Sequence, residues 1–202
     1  MTLSLPIPTF APLLLPPGLR LTPEQFAAVC RTNPEAVLEL GSDGQLITMT
    51  PTGGETGARN SRLLFLLEGA IRRSGLPLKL FDSSSGFLLP DGSVRSPDAA
   101  ILHLERWQAL SPEQRRGFPP LCPDLVVELA SPSDELAGLR RKLETYRANG
   151  ASLGWLLVPE QRAVEIWRAD PAQPQHLEAV QRLDADELFP GFTIDLDEVW
   201  EV

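Results

Sequence analysis

Hydrophobic and polar residues alternate with two different periods along this chain, and the period distinguishes the predicted strands from the predicted helices. The segment from Leu125 to Leu129 is apolar on both faces except at Glu128, which indicates a strand in the middle of a sheet. Apolar residues recur at helical spacing between Gly53 and Ser74, and again in the segment that Ser131–Asp134 would cap and Asn149-Gly150 would end. These two patterns predict long amphipathic helices.

Capping and turn signals delimit the other predicted elements. A short helix is predicted from Thr22 to Arg31 and a small one after Ser111. Hairpins are predicted over 36–50 and 155–167, and further strands over 78–81, 86–89, 94–103, 176–181 and 192–196. This order of elements is typical of an α/β fold with a mixed central sheet, flanking helices and extra hairpins.

Length and composition limit the classes of protein that the chain can represent. Its 202 residues suit one domain, predicted over 21–202 and preceded by an extended arm over 1–20. No apolar run approaches the roughly 18 residues that a membrane span needs, and no signal peptide is evident, so we expect a cytoplasmic protein. Apolar residues of the Pro-rich segment from Leu3 to Pro17 could wrap a partner subunit, which favours a homodimer or a higher oligomer.

The net charge of −9 counts against a protein whose main task is to hold nucleic acid, because phosphate binding depends on clustered Lys and Arg. It does not exclude a nuclease, since the carboxylates of a metal site contribute to the acidity. Charge alone therefore leaves both classes open.

Lys142 stands out because only two of the 18 basic residues are lysine, the other being Lys79. Arginine keeps its proton in proteins, whereas a desolvated lysine can lose one or orient a water molecule as a compact charge. Asp98 and Glu128 fall on strands of one predicted sheet, and Lys142 lies at the edge of the buried stripe of the following helix. Two carboxylates and a lysine indicate a metal-dependent phosphodiesterase site.

Each of these residues also has a purely structural interpretation. Glu128 could belong to a buried ion pair, Asp98 could make local hydrogen bonds at the start of a strand, and Lys142 could cover apolar surface. Glu55, beside two glycines at the start of the long helix, is favoured there by the helix dipole whatever the function.

Several motifs resemble the Uma-type family of restriction-endonuclease-like proteins in the PD-(D/E)XK superfamily. The resemblance covers about Val37 to Trp200, with the motifs in the right order. They are Phe81–Phe87, Pro90-Asp91-Gly92, Arg95–Asp98, Pro123–Leu129, Ser131-Pro132-Ser133, Lys142 with Tyr146, Gly150, and Trp155 before Pro159.

The resemblance implies a mixed central sheet and a nuclease-type site that uses Mg²⁺ or Mn²⁺. Asp98 would be the first acid and Glu128 the second, with Glu55 as a further metal ligand from the first core helix. Ala130 stands where the superfamily pattern has lysine, two residues after Glu128, so the resemblance implies that Lys142 takes over that role.

These expectations lead to a metal-dependent endonuclease that acts on nucleic acid, with DNA favoured over RNA. Lys142 would position or deprotonate the attacking water, while Tyr146 and Arg95 would orient the site or the substrate phosphate. The alternative is a non-catalytic binding or assembly module that retains the nuclease fold, with its acids salt-bridged to Lys142 or Arg95. A hydrolase of some other substrate is a third, weaker hypothesis.

Overall fold

The computed structural model describes residues 18–49, 51–170, 173–185 and 187–201. The helices in these ranges are α1 (Pro23–Thr32), α2 (Gly54–Ser74), α3 (Leu104–Gln108), α4 (Pro112–Arg116), α5 (Leu136–Ala148) and α6 (Asp197–Trp200). The strands are β1 (Val37–Leu40), β2 (Leu46–Met49), β3 (Leu78–Asp82), β4 (Phe87–Leu88), β5 (Val94–Arg95), β6 (Ala99–His103), β7 (Leu125–Leu129), β8 (Leu153–Val158), β9 (Ala163–Arg168), β10 (Gln175–Leu177), β11 (Arg182–Asp184) and β12 (Thr193–Asp195).

A six-stranded sheet in the order β10, β9, β8, β7, β6, β3 forms the centre of the fold. β7 and β8 run parallel, whereas each of the other neighbouring pairs is antiparallel. α5 joins the two parallel strands, because a parallel connection has to cross back over the sheet. The prediction of an α/β fold with a mixed central sheet and flanking helices is confirmed.

Different helices cover the two faces of this sheet. Successive side chains of a strand point to opposite faces. Val127 accordingly packs with Leu63 of α2 in one core cluster, and Val126 packs with Leu143 of α5 in another. Glu128 has the same parity as Val126, so its carboxylate lies on the α5 face.

A smaller four-stranded sheet in the order β2, β1, β5, β4 contributes a third core, in which Leu40 and Val94 pack with Phe26 of α1. The prediction of one continuous strand over 94–103 is wrong, because β5 belongs to the small sheet and β6 to the central one. Pro97 lies between them and has no N–H group for a strand ladder, which explains the break.

The start of α5 also differs from the prediction. The helix follows Glu135, which makes no side-chain capping bond. Asp134 instead accepts hydrogen bonds from the backbone N–H and the hydroxyl of Ser131, at 2.8 and 2.7 Å. This local turn uses the polar side chains that the sequence pattern assigned to a helix cap.

The edges of the fold agree with the sequence only in part. β10 extends the central sheet as predicted, whereas β12 pairs with β11 in a separate ribbon that packs near α2. The predicted contact of residues 3–17 with a partner lies outside the described residues. No helix in the described ranges has the length and apolarity needed to cross a membrane.

Candidate active site

Asp98 and Glu128 lie opposite each other at one end of two neighbouring strands. The antiparallel register pairs Ala99 with Val127, and continuing it by one residue places Asp98 opposite Glu128 on the α5 face. The Asp98 Oδ2 atom accepts a hydrogen bond from the backbone N–H of Leu129 at 2.7 Å. This bond crosses to the neighbouring strand, so it is not the local hydrogen bond expected for a strand-initial aspartate, whereas the register does place Asp98 opposite Glu128.

Lys142 of α5 reaches this pair of acids. Its Nζ atom lies 3.0 Å from Glu128 Oε1 and donates a hydrogen bond to Glu128 Oε2 at 3.2 Å. It also donates to the carbonyl oxygen of Ser96 at 2.8 Å and lies 3.0 Å from Glu39 Oε1. The ammonium group thus has three protons and three neighbouring residues that can accept them in hydrogen bonds.

Glu39 of β1 is a member of this cluster that the sequence analysis did not predict. Its side chain is buried, and its Oε1 atom accepts a hydrogen bond from the backbone N–H of Ser96 at 2.9 Å. Its Oε2 atom accepts another from Arg95 Nη1 at 3.0 Å. A signal existed, because Glu39 stands alone between Leu38 and Leu40 just as Glu128 stands alone between apolar neighbours.

The structure places the two predicted auxiliary residues differently. Arg95 lines the cavity in front of the acids and is ion-paired with Glu39. Tyr146 is fully buried one helical turn after Lys142, and its hydroxyl has no hydrogen-bond partner among the described residues. Arg95 is thus available to a substrate, whereas Tyr146 can act only from behind the site.

Glu55 is not brought together with the other acids. Its side chain is 62% exposed and forms an ion pair with Arg59, one turn further along α2, at 2.6 Å. It does not line the cavity, although its buried neighbour Thr56 does. The geometry therefore gives no support to the prediction of Glu55 as a metal ligand.

A cavity of about 710 Å³ opens onto Asp98, Glu128 and Lys142. The β1–β2 hairpin, the start of α2 and the loop before α5 surround it. Its charged lining comprises Glu39, Arg95, Asp98, Glu128, Asp134, Glu135, Arg141 and Lys142. Acids outnumber bases by five to three in this list, so the cavity is suited to cations and would repel an unaccompanied phosphate.

Comparisons with known proteins agree with this arrangement. Residues 23–197 match the family model described as "Uma2: Putative restriction endonuclease". The chain belongs to the Uma2 family. None of the curated proteins compared with this Uma2 chain matches it. Among solved structures, a "putative nuclease belonging to DUF820" from Anabaena variabilis is similar to it with a TM-score of 0.72.

Family membership confirms the resemblance inferred from the motifs. The Anabaena protein is 16% identical over 89% of this chain and 97% of its own, so the likeness shows the shared fold alone. These findings show a restriction-endonuclease-like family and fold. What each residue of the Uma2 site can do chemically depends on its charge state, and therefore on its pKa.

Burial raises the pKa of both acids that face the Uma2 cavity. Burial is the largest influence on Glu128, and although Lys142 opposes it, the nearby charges of Asp98 and Glu39 add to it, so that the pKa rises to about 8. Burial also raises the pKa of Asp98, against the hydrogen bond from Leu129. One lysine therefore does not compensate these carboxylates.

The other members of the cluster are held in definite charge states. Burial lowers the pKa of Lys142, but Glu128, Glu39 and Asp98 outweigh it and raise the pKa above its usual value. Burial raises the pKa of Glu39, yet Lys142, the N–H of Ser96 and Arg95 bring it below its usual value. Of the two roles expected for Lys142, the ammonium that positions water fits this geometry, and the base does not.

The surplus of carboxylate fits a divalent cation. In the described part of the chain no three His, Cys, Asp or Glu side chains form a complete metal cage. Mg²⁺ does not need one, since it commonly binds through one or two carboxylates together with water and substrate phosphate. Glu128 Oε1 is buried and lies 3.0 Å from Lys142 Nζ without a hydrogen bond of suitable geometry, so a cation bound there would compete with this ion pair.

Proposed function

We propose that this Uma2 protein is a divalent-cation-dependent endonuclease that hydrolyses phosphodiester bonds in nucleic acid. The observation that carries the proposal is the pairing of two incompletely compensated carboxylates, Asp98 and Glu128, with the ammonium of Lys142 at the base of an open cavity. DNA is favoured over RNA by the family description alone.

Asp98 and Glu128 would hold Mg²⁺ or Mn²⁺. Such an ion, when bound, supplies Lewis acidity toward a phosphate oxygen and lowers the pKa of water. Lys142 keeps its proton because Glu39 and Ser96 remain its partners when Glu128 turns to a cation. Its ammonium then orients the attacking water and stabilises negative charge as that charge develops on the phosphate.

Glu39 and Arg95 complete the proposed site. Glu39 holds Lys142 through one carboxylate oxygen and Arg95 through the other. Arg95 lines the cavity beside the acids, which places its guanidinium where it would bind a phosphate of the substrate.

The experiment that tests this function is Mn²⁺ titration by calorimetry combined with a cleavage assay on fluorescently labelled DNA and RNA. Asp98→Asn should abolish Mn²⁺ binding and cleavage together. Glu55→Gln is the matched control, because it removes one carboxylate from outside the cavity and should leave both unchanged. Cleavage that survives in Asp98→Asn would overturn the mechanism, and lost Mn²⁺ binding in Glu55→Gln would restore Glu55 as a ligand.

A second candidate is the non-catalytic binding or assembly module that retains the nuclease fold. The observation in its favour is that Lys142 is already engaged by Glu128, Glu39 and Ser96, as that hypothesis requires. It predicts no Mn²⁺ binding at Asp98 and no cleavage of any substrate in the panel, with the wild type and Lys142→Met behaving alike.

We also propose that the protein acts in the cytoplasm as a homodimer or higher oligomer, since two active sites would cut both strands of a duplex. Small-angle scattering of the full chain measures the mass directly. A monomeric mass at micromolar concentration would remove the oligomer from the proposal without affecting the site.

A further inference from the structure

A second cavity, of about 490 Å³, has a lining whose charge opposes that of the whole chain. It lies among α1, α3, α4 and the loop between β3 and β4. Arg31, Arg115 and Arg116 line it, and the described lining includes no Asp or Glu. In a chain of net charge −9, three cations without an acid form a local site for anions.

The arginines of this cavity have unused hydrogen-bond donors. Arg31 and Arg116 make no ion pair or side-chain hydrogen bond within the described ranges. Arg115 donates from Nη2 to the carbonyl oxygen of Gln108 at 2.6 Å, but its Nε is buried without a partner. Several other surface arginines are paired with glutamates, as Arg72 is with Glu68, whereas Arg73 and Arg141 make no ion pair within the described ranges.

Aromatic side chains stand beside these cations. Trp107, Phe81 and Phe118 line the cavity, and the Trp107 and Phe81 ring centroids are 5.1 Å apart. Lys79 Nζ, from outside the cavity lining, and Arg115 Cζ lie 5.4 and 5.8 Å from the Trp107 ring centroid. Cations that follow a phosphate backbone, combined with aromatic rings that contact bases, are the usual components of a site for single-stranded nucleic acid.

The cavity adjoins the candidate active site through one peptide segment. The loop that lines the cavity includes Gly86, where a Cβ atom would lie 2.9 Å from the Phe118 ring and 3.3 Å from Ser96 Oγ. The carbonyl oxygen of the same Ser96 accepts the hydrogen bond from Lys142. Ser96 therefore lies between the two cavities, which share no lining residue.

We propose that this cavity holds a phosphate-bearing, single-stranded segment of the nucleic-acid substrate beside the position that is cut. The proposal rests on the proposed function for the identity of the substrate. It also accounts for an acidic nuclease, because the positive charge needed for phosphate is concentrated away from the metal-binding acids.

Two triple variants with the same change of charge test the subsite. One replaces Arg31, Arg115 and Arg116 by Ala, and the control replaces Arg62, Arg72 and Arg162, which are paired with surface glutamates. The probe is a 5′-fluorescein-labelled thymidylate strand of about 12 nucleotides, a length that spans a typical single-strand site. Its binding is followed by fluorescence anisotropy in EDTA over a range of salt concentrations.

The cavity variant should bind the strand at least about tenfold more weakly, and its slope of log K against log salt should fall by about 2, since each single-strand phosphate contact contributes about 0.7. The control should change affinity less than about twofold. Equal weakening in both variants, or no binding by the wild type, would overturn the subsite. Arg116→Ala alone, at an exposed position, should lose about threefold and guards against misfolding of the triple variant.

A cleavage assay in Mn²⁺ separates this subsite from the proposed function. If the cavity variant cleaves with the same KM as the wild type, the subsite is refuted and the proposed nuclease function stands. Cavity-dependent binding without cleavage of any substrate would refute the nuclease and keep the subsite as that of a binding module. Lys142→Met should lower the rate of cleavage by about 10²- to 10³-fold but leave strand binding in EDTA unaltered, and this result would support both proposals.

Discussion

Two buried glutamates lie in one row across the central sheet and face the same helix, yet their surroundings differ. Glu128 of β7 and Glu165 of β9 both pair with Leu156 of the strand between them, so their side chains share a face. Arg140 of α5 binds Glu165 through Nε at 2.9 and 3.1 Å. Lys142, one helical half-turn further on, binds Glu128 but also Glu39.

The difference lies in the balance of charge around each glutamate. Glu165 has an arginine of its own, whereas Glu128 shares one lysine with Asp98 and Glu39. The charge of Glu165 is matched by a half-exposed arginine, whereas the surplus of carboxylate around Glu128 favours the binding of a cation. The comparison teaches that a buried acid marks a candidate site when its neighbours fail to neutralise it.

The largest expected contrast between the two regions is in catalysis. Lys142→Met should lower kcat for Mn²⁺-dependent cleavage by about 10²- to 10³-fold, the usual loss when an oriented donor to a developing anion is removed. Arg140→Met removes a cation from the neighbouring pair and should change kcat by less than about threefold. Single-turnover cleavage of both variants, below their melting temperatures, makes the measurement; similar losses in both would erase the distinction.

The pH dependence of stability should also separate the two glutamates. The pKa of Glu128 is about 8 in the folded protein against an ordinary 4.5, so the folded state keeps a proton that the unfolded state loses. Its contribution to stability is therefore complete below about pH 4.5 and is lost as the pH rises toward 8.

Glu128→Gln has no carboxyl group that titrates at this position. The free energy of unfolding of the variant minus that of the wild type should therefore rise by about 3 kcal/mol between pH 5 and 8. Urea unfolding in EDTA at several pH values measures it. Glu165→Gln, which breaks a matched pair, should show no such gain. A pH-independent difference for Glu128→Gln would mean that the buried acid is already compensated.

Glu39 should have an intermediate effect, because it acts through Lys142 and Arg95. Glu39→Gln preserves the shape but removes the charge that helps to hold both cations, and we expect about a tenfold loss in kcat. Binding of Mn²⁺ should persist, since Asp98 and Glu128 remain. Glu144→Gln, at an exposed ion pair on α5, is the control, and abolished Mn²⁺ binding in Glu39→Gln would show instead that Glu39 is a ligand.

The smallest effect is expected at Tyr146. Its hydroxyl is buried without a partner among the described residues, and burial raises its pKa well above the ordinary value, so it is no proton donor at neutral pH. Tyr146→Phe should leave kcat within about twofold and stabilise the fold by up to about 1 kcal/mol, because an unsatisfied polar group is removed. Thermal melts and steady-state kinetics measure the two effects. A tenfold loss in kcat would show that Tyr146 contributes to catalysis.

Much of the local structure follows from short-range patterns. The apolar run around Glu128 predicts β7, and the amphipathic repeat up to Ser74 predicts α2 with its observed end. The errors occur where a distant partner decides the outcome. The break at Pro97 and the pairing of β12 with β11 depend on which sheet each strand joins, and no local period encodes that choice.

The sequence by itself determined that Glu128 interrupts an apolar strand and that Lys142 lies at the edge of the buried stripe of the following helix, because strand parity and helical spacing are local properties of the chain. Only the tertiary structure decided that Glu39 joins them and that Glu55 does not. β1 and α2 lie in different layers from β7, and their approach to α5 depends on contacts between residues far apart in sequence, whose loop-closure cost and packing leave no periodic trace.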